Sequence, residues 1–268
     1  MSTSYVIRGG EHGRSRMSVI ARAMWPTTEG LLVAAGLTRG MRCLDLGCGA
    51  GDVSLAMARL VGPSGSVNGV DQDDVKVQFA REDADRDRLN NVQFHASNVE
   101  QLEDDAEYDL VYARFLLTHL RDPAAVLRRM VRAARPGGVI VVEDIDHAGV
   151  FSHPHSPALE QFVGLYNRVV RSRGADPEIG PKLPGLFREV GLAELHLSHV
   201  QPVYLDGEAK HIHRITLDNV APALTAAGLA TNAELEVLTQ ALDAFLTRSD
   251  TLVSTPRIFQ VLARRPLA

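Results

Sequence analysis

A glycine-rich turn occupies residues 44–52, in the run LDLGCGAGD. An apolar stretch typical of a strand leads into the turn, and an apolar pattern typical of a helix begins at Val53. Glycines allow tight backbone angles and let a ligand approach the main chain, and a helix start offers unpaired amide donors. Asp71 follows 20 residues after Gly51, at the end of a second predicted strand, where a carboxylate can accept hydrogen bonds from both hydroxyls of a ribose. Together these features predict a nucleoside-binding site.

Two kinds of nucleoside cofactor compete for such a site. Dinucleotide binding normally uses the pattern G-x-G-x-x-G, because the pyrophosphate lies on the helix start. The third glycine of that pattern would fall at position 52, where this sequence has Asp52. A carboxylate repels a pyrophosphate, whereas a cationic ligand tolerates both Asp52 and the preceding Asp45. The turn therefore favours a ligand with a sulfonium and an ammonium group over one with two phosphates.

The run at 44–52 resembles the first motif of class I S-adenosylmethionine (SAM)-dependent methyltransferases. Further motifs similar to that family follow in its usual order: GVDQDD at 69–74, ASNVEQL at 96–102, YDLVYARFLLTHLRDP at 108–123 and RPGGVIVVED at 135–144. The resemblance is to the branch that contains quinone-biosynthesis C-methyltransferases and many small-molecule methyltransferases. It covers about residues 40–145 strongly, and it is specific for the cofactor rather than for the acceptor.

The resemblance implies a set of cofactor contacts. The methionine part would contact Asp45, Gly47, Cys48, Gly49 and the backbone carbonyl of Arg114; the ribose would contact Asp71; the adenine would contact Gln72, Asn98 and Val99; and Tyr5 and Arg16 would close over the cofactor from the N-terminal segment. Many relatives carry an aspartate where this sequence has Asn98. An amide oxygen can still accept a hydrogen bond from the adenine amino group. A solvent-facing Arg16 and a packing Tyr5 are the alternatives.

The chain alternates apolar runs with helical patterns between about residues 42 and 144, which indicates βαβ units and a mainly parallel sheet. Candidate strands are 42–46, 67–70, 92–94, 108–112, 138–143, 193–203 and 257–263, and later candidate helices are 158–171, 183–190, 209–227 and 233–246. The resemblance implies an α/β, Rossmann-like, doubly wound sheet of seven strands, mostly parallel with an antiparallel last strand. We expect one domain over 1–268, with N-terminal helices as a cover at 1–39, a SAM-binding core at 40–145 and a helical, lid-like insertion at 206–250.

Three residues are candidates for a catalytic base. Methyl transfer from a sulfonium is an in-line displacement, so the protein has to exclude water, align the nucleophile and remove a proton from an oxygen or nitrogen acceptor. Open α/β sheets bind ligands at the carboxyl ends of their strands, and His119, Asp144 and His147 follow or end predicted strands there. A capping, packing or solvent-facing role is the alternative for each.

Other histidines carry weaker predictions. The separations between His147, His153 and His155 do not match an ordinary zinc site, and no cysteine lies nearby. We therefore expect no metal. His211 and His213 are expected at the surface.

Composition limits the class of protein. The chain has 28 basic and 33 acidic residues among 268, a formal net charge of −5, which argues against a nucleic-acid partner. Only two cysteines are present, which fits a reducing compartment. The first residues lack the apolar block of a signal peptide, and no run is long enough for a membrane span. We expect a cytoplasmic protein that acts on a small molecule, with a homodimer as an open alternative.

The predicted function is SAM-dependent methyl transfer to an oxygen, nitrogen or carbon atom of a small organic acceptor, with S-adenosylhomocysteine as product. Three alternatives stay open. The first is a nicotinamide-dependent oxidoreductase. The second is a non-catalytic SAM-binding or partner-binding module of the same fold, and the third is another reaction, such as a cyclisation, that uses the positive charge of the cofactor.

Overall fold

The computed structural model describes residues 10–103 and 106–267, and the side chains from residue 17 onward. The described strands are β1 (Arg42–Leu46), β2 (Ser66–Asp71), β3 (Val92–Ala96), β4 (Tyr108–Arg114), β5 (Ala134–Asp146), β6 (Ser152–His153), β7 (Leu195–Val200), β8 (Val203–Tyr204), β9 (Leu252–Ser254) and β10 (Arg257–Arg264). The described helices are α1 (Gly10–Ala34), α2 (Asp52–Val61), α3 (Asp74–Arg86), α4 (Pro123–Ala133), α5 (Pro157–Ser172), α6 (Leu183–Glu189), α7 (Ile212–Ala226) and α8 (Asn232–Leu246).

The main sheet of the described chain has seven strands in the order β3-β2-β1-β4-β5-β10-β7. The pairs from β3 to β5 are parallel, and β10 lies antiparallel to both β5 and β7. The predicted mostly parallel sheet with an antiparallel last strand is therefore confirmed. This order places the carboxyl ends of β1, β2 and β4 side by side at one edge, which is where open α/β sheets bind ligands.

A second, small sheet was not predicted. It has the order β6-β9-β8, and its strands are two or three residues long. Strands this short show no alternation of apolar and polar residues, so periodicity does not reveal them. The predicted strand at 193–203 is in fact split, because β7 ends at Val200 and Val203 pairs with Ser254 in the small sheet.

The helices begin where local capping predicts. Asp122 accepts a hydrogen bond from the backbone N–H of Ala125 at 2.8 Å, with Pro123 in the first turn of α4. Thr231 and Glu234 form a capping box at the start of α8. The predicted helix at 209–227 starts as a short 3₁₀ turn over Glu208–His211 before α7 begins.

The core lies on both faces of the main sheet. One cluster packs α2, α3 and the end of α1 against β1, β2 and β4, and another packs α4 and α6 against β4 and β5. A third cluster joins α5, α7 and α8, with Met24 of α1. No helix within the described ranges is long and apolar enough to cross a membrane.

Candidate active site

A cavity of about 970 Å³ opens at the carboxyl ends of β1, β2 and β4. It is bounded by the glycine turn on one side and by residues of α1, α5 and α7 on the other. Most predicted site residues line it: Asp45, Gly47, Cys48, Gly49, Asp71, Gln72, Asn98, Val99, Arg114, His119 and His147. The structure therefore brings nine of the eleven predicted cofactor contacts and two of the three candidate bases into one space.

The glycine turn needs its glycines. Gly47, Gly49 and Gly51 have φ angles of 72°, 57° and 85°, in the left-handed region that other residues rarely adopt. The backbone N–H groups of Gly47 and Cys48 donate to the carbonyl of Val70 at 2.8 and 3.1 Å, which ties the turn to the end of β2. The turn is thus held rigid beside Asp71.

Asp71 is the next residue of this network. Its Oδ2 accepts a hydrogen bond from the backbone N–H of Gly49 at 2.9 Å, and its Oδ1 accepts one from the backbone N–H of Asp73 at 2.9 Å. A carboxylate oxygen has a second lone pair, so both oxygens can still accept a hydroxyl from a ligand. Two backbone donors therefore orient Asp71 at the position predicted for a ribose.

Asp45 is a buried carboxyl at the end of the cavity near Arg114. It is 2% exposed and accepts a hydrogen bond from the hydroxyl of Ser54 at 2.5 Å. Burial raises the pKa of Asp45 to about 7, although Ser54 and the charge of Arg114 lower it. A ligand ammonium placed beside this group would favour its ionised form.

The charges that line the cavity are mainly negative. Within the described side chains, the lining carboxylates are Asp45, Asp52, Asp71, Asp73, Asp74 and Glu100, and the permanent cations are Arg114 and Lys76. The ammonium of Lys76 is buried and lies 3.7 Å from the carboxylate of Asp73. Such a lining favours a cationic ligand and opposes a polyanionic one.

The side chain of Asn98 already accepts a hydrogen bond from the neighbouring backbone. Its side-chain oxygen accepts a hydrogen bond from the N–H of Glu100 at 2.9 Å and so caps the short turn that begins at Val99. Its amide nitrogen lies 3.3 Å from a carboxylate oxygen of Glu100. The predicted adenine contact through Asn98 would therefore use the remaining lone pair of the amide oxygen.

Arg114 ends β4 above a buried polar network. Its Nη1 donates to the hydroxyl of Thr28 on α1 at 3.3 Å, and that hydroxyl donates to the carboxylate of Glu143 at 2.8 Å. Glu143 also accepts hydrogen bonds from Tyr112 at 2.5 Å and Gln260 at 2.7 Å. Burial, together with the neighbouring charge of Glu143, raises the pKa of Tyr112 far above its ordinary value. The network joins α1 to the sheet beneath the cavity.

The residue after Arg114 has a strained backbone. Phe115 lines the cavity with a φ of 54°, and its N–H donates to the carbonyl of Glu143 at 2.8 Å. A non-glycine residue in the left-handed region costs about 1–2 kcal/mol. Such strain is concentrated at functional sites, where the surrounding structure enforces it.

Asp144 does not line the cavity. It is fully buried, and its carboxylate accepts hydrogen bonds from the backbone N–H groups of Thr118 at 3.1 Å and Ile145 at 2.8 Å. Burial raises its pKa to about 7. These contacts hold the short 3₁₀ turn Leu117–His119, so Asp144 positions the segment that carries His119.

His147 lines the cavity from a short turn after β5, which is two strands away in the sheet from β1 and its glycine turn. It is 3% exposed and lies 2.9 Å from the side-chain oxygen of Asn167 through Nδ1. The ring of Tyr166 packs against it with a centroid distance of 4.3 Å. His119 lines the same cavity from the turn before α4.

Sequence reasoning missed two aromatic lining residues. His213, expected at the surface, is 3% exposed, lines the cavity and lies 2.7 Å from the carbonyl of Ser254 through Nε2. Tyr166 was not singled out. The spacing of Phe162 and Tyr166 on one face of a helix could have indicated an aromatic surface, but its partner on α7 depends on tertiary packing.

The remaining predictions concern the N-terminal segment and metals. Tyr5 lies outside the described residues, and Arg16 lies in α1 with its side chain outside the described part. Across residues 10–103 and 106–267, no three histidine, cysteine or acidic side chains are grouped so that they could hold a metal ion.

Comparison with known families shows which domain surrounds this cavity. The model of a methyltransferase domain family matches residues 37–169, the stretch from the loop before β1 to α5. Residues 37–169 thus match a methyltransferase domain. This chain is 32% identical over 135 residues to a ubiquinone/menaquinone biosynthesis C-methyltransferase of Idiomarina loihiensis, covering 50% of this chain and 51% of the relative. It is 30% identical over 136 residues to a demethylmenaquinone methyltransferase of Staphylococcus aureus, covering 50% and 53%.

The matched region is thus about half the length of these curated relatives. Among solved structures, the YcgJ protein of Bacillus subtilis superimposes with a TM-score of 0.59 at 20% identity, covering 88% of this chain and 97% of that one. This likeness shows that the two proteins share a fold over most of the chain.

Proposed function

We propose that this methyltransferase transfers the methyl group of SAM to a small, uncharged, hydroxyl-bearing organic acceptor. The observation that carries the proposal is the single cavity that joins the glycine turn and Asp71 to His147. One end offers backbone donors and carboxylates that can bind the nucleoside and the amino-acid part of SAM. The other end holds a buried imidazole that can take a proton from an acceptor.

The residues at the glycine-turn end fit SAM. Asp71 would accept the ribose hydroxyls, Asp45 would face the ammonium, and the guanidinium of Arg114 would face the carboxylate of the methionine part. SAM carries one more positive than negative charge, and the predominantly acidic lining matches that sign. The same lining opposes the pyrophosphate of a nicotinamide dinucleotide.

When bound, SAM supplies an electrophilic methyl group on a sulfonium. The chain's own residues have to exclude water, align the acceptor and hold its proton. Phe115, Tyr166 and Ile258 form apolar parts of the lining, and we propose that they exclude water. We propose that His147 accepts the acceptor's proton at Nε2, while His119 lines the route between the two ends.

The part of the cavity around His147, here called the acceptor end, has a lining that favours an uncharged acceptor. Apart from its histidines, the described side chains that line this end are aliphatic, aromatic or hydroxyl-bearing: Ile20, Met24, Phe115, Ile145, Tyr166, Tyr204, Ile212, Thr216, Thr255 and Ile258. A charged acceptor would lose its hydration there without gaining an opposite charge. The helical segment at 206–250 supplies part of this lining through α7, which supports its proposed role as a cover.

The first test is cofactor binding. Titration calorimetry with S-adenosylhomocysteine is expected to show binding, and Asp71→Ala is expected to weaken it about tenfold, since two ribose hydrogen bonds are worth about 1.4 kcal/mol or more. Asp85→Ala, an exposed carboxylate on α3, is the matched control and should leave the affinity unchanged. Unchanged affinity in Asp71→Ala, or preferential binding of a nicotinamide dinucleotide, would contradict the proposal.

The pH dependence of binding tests Asp45. In the free protein Asp45 is protonated below pH 7, because its pKa is raised to about 7. A bound ammonium lowers that pKa, so binding releases a proton and the affinity falls as the pH drops below 7. Calorimetry at pH 6 and 8 is expected to show this fall in the natural chain and its loss in Asp45→Asn. Because both proteins bind the same ligand, the ligand's own titration cancels. Equal pH profiles would rule out this role for Asp45.

A further inference from the structure

A chain of three polar side chains leads away from His147. The Nδ1 atom of His147 lies 2.9 Å from Oδ1 of Asn167 on α5, and Nδ2 of Asn167 donates to Oε1 of Glu178 at 3.2 Å. Glu178 is paired in turn with the guanidinium of Arg171 at 2.6 Å. The chain thus runs from the cavity to a surface ion pair.

The order of donors and acceptors along these hydrogen bonds determines which ring nitrogen of His147 carries the proton. The carboxylate of Glu178 only accepts hydrogen bonds, so it must face the NH₂ group of Asn167. The amide oxygen of Asn167 is thereby turned toward His147, and an oxygen requires a donor opposite it. Nδ1 of His147 therefore carries the proton, and in the neutral ring Nε2 is the basic nitrogen.

Packing prevents the two partners from changing this arrangement. His147 and Asn167 are 3% and 7% exposed, and the ring of Tyr166 packs against the imidazole at an interplanar angle of 34°. The backbone N–H of His147 donates to the carbonyl of Pro177 at 2.9 Å, next to Glu178 in the chain. The loop that carries the carboxylate is therefore the same loop that holds the histidine backbone.

We propose that Asn167 and Glu178 are positioning residues that hold His147 in the Nδ1–H tautomer, so that Nε2 is the nitrogen that takes the acceptor's proton. The inference deepens the proposed function, because His147 is the base in that proposal. Among the described side chains, the ionisable groups near the imidazole include Tyr166, His213, Glu178 with Arg171, and the ion-paired Asp146 and Arg257. Nδ1 of His147 lies against the side-chain oxygen of Asn167.

The tautomer can be measured without an acceptor. Long-range ¹H–¹⁵N correlation spectra of the full chain, labelled on its histidines, distinguish a protonated from an unprotonated ring nitrogen. Loss of one signal set in His147→Gln identifies His147. The expected result is a protonated Nδ1 and an unprotonated Nε2 for neutral His147. A protonated Nε2 in the natural chain would overturn the proposal.

Two variants then test the role of the chain. Asn167→Leu has a similar volume without the amide, and it is expected to shift His147 toward the Nε2–H tautomer that free histidine favours. Glu178→Gln keeps the shape but lets the amide of Asn167 turn, so a mixture of tautomers is expected. The signals of His95, exposed on β3, serve as the control and should not move. Unchanged His147 spectra in both variants would refute the positioning role.

The outcome is separable from that of the proposed function. Failure to bind S-adenosylhomocysteine would contradict the proposed methyltransferase function but would not change the tautomer result. Binding together with a protonated Nε2 would refute the positioning role alone.

Discussion

Replacing Gly51 by alanine is expected to lower the free energy of unfolding by about 3 kcal/mol. Gly51 has a φ of 85°, which costs an L-residue about 1–2 kcal/mol. An added Cβ would also lie only 2.8 Å from both Cβ of Ala80 and Cζ of Phe94, inside a buried cluster where overpacking costs about 1–3 kcal/mol. For a chain of this size the melting temperature should fall by roughly 6–12 °C.

Two other glycines separate the causes of this loss. Gly191 has a φ of 87°, but an added Cβ meets nothing within 4 Å, so Gly191→Ala should cost only the backbone term. Gly185 lies within α6 with open space around it, so Gly185→Ala should be neutral or stabilise by roughly 0.5–1 kcal/mol. Thermal unfolding followed by circular dichroism measures all three. If Gly51→Ala and Gly191→Ala lower the stability equally, the close contact of the added Cβ with Phe94 contributes nothing to the loss.

The cofactor end was largely predictable because its geometry is local. Glycine is the residue that readily adopts the angles of the turn, and Asp71 stands at a strand end whose place in a parallel sheet follows from βαβ alternation. Both signals are written within about 30 residues of sequence. The sheet order confirms that the predicted strands meet where the ligand edge was expected.

The acceptor end was less predictable because its residues come from distant segments. His213 was expected at the surface, yet the packing of α7 on α5 buries it beside Phe162 at a centroid distance of 5.8 Å. Asp144 shows another limit. Side chains alternate across a strand, so Glu143 turns toward Thr28 on α1 while Asp144 turns toward the backbone of Thr118. Strand ends identify the ligand edge but do not say which carboxylate reaches it.

Two structural regions thus form the cavity: the parallel core, and the helices α1, α5 and α7. The parallel core presents a rigid turn whose glycines form a recognisable motif, whereas α1, α5 and α7 supply side chains that no motif specifies. Acceptor specificity should accordingly reside in the second region. Arg114 stands where the two regions meet, since it ends β4 and donates to Thr28 of α1.

Replacing Arg114 by methionine is expected to weaken S-adenosylhomocysteine binding by about 2 kcal/mol, roughly thirtyfold. The carboxylate of the methionine part needs a cation in a lining dominated by carboxylates. Among the described lining residues the other permanent cation, Lys76, is buried against Asp73 at the start of α3. Without Arg114, the ligand carboxylate would face Asp45 and Asp52, and Lys76 would be the one permanent cation left among the described lining side chains.

A truncated ligand tests this assignment, which differs from the predicted contact through the backbone carbonyl of Arg114. 5′-Methylthioadenosine keeps the nucleoside and the sulfur but lacks the amino-acid part, so Arg114→Met should bind it as tightly as the natural chain does. The control for both ligands is Arg59→Met on α2, which removes an exposed ion pair between Arg59 and Asp87. An equal loss for both ligands would assign Arg114 to holding the turn. No loss for either would transfer the carboxylate contact to another cation, with Arg16→Met as the variant that identifies it. A loss confined to S-adenosylhomocysteine assigns Arg114 to the amino-acid part of the ligand. Within that part the guanidinium attracts the carboxylate and repels the ammonium, so the carboxylate is its partner.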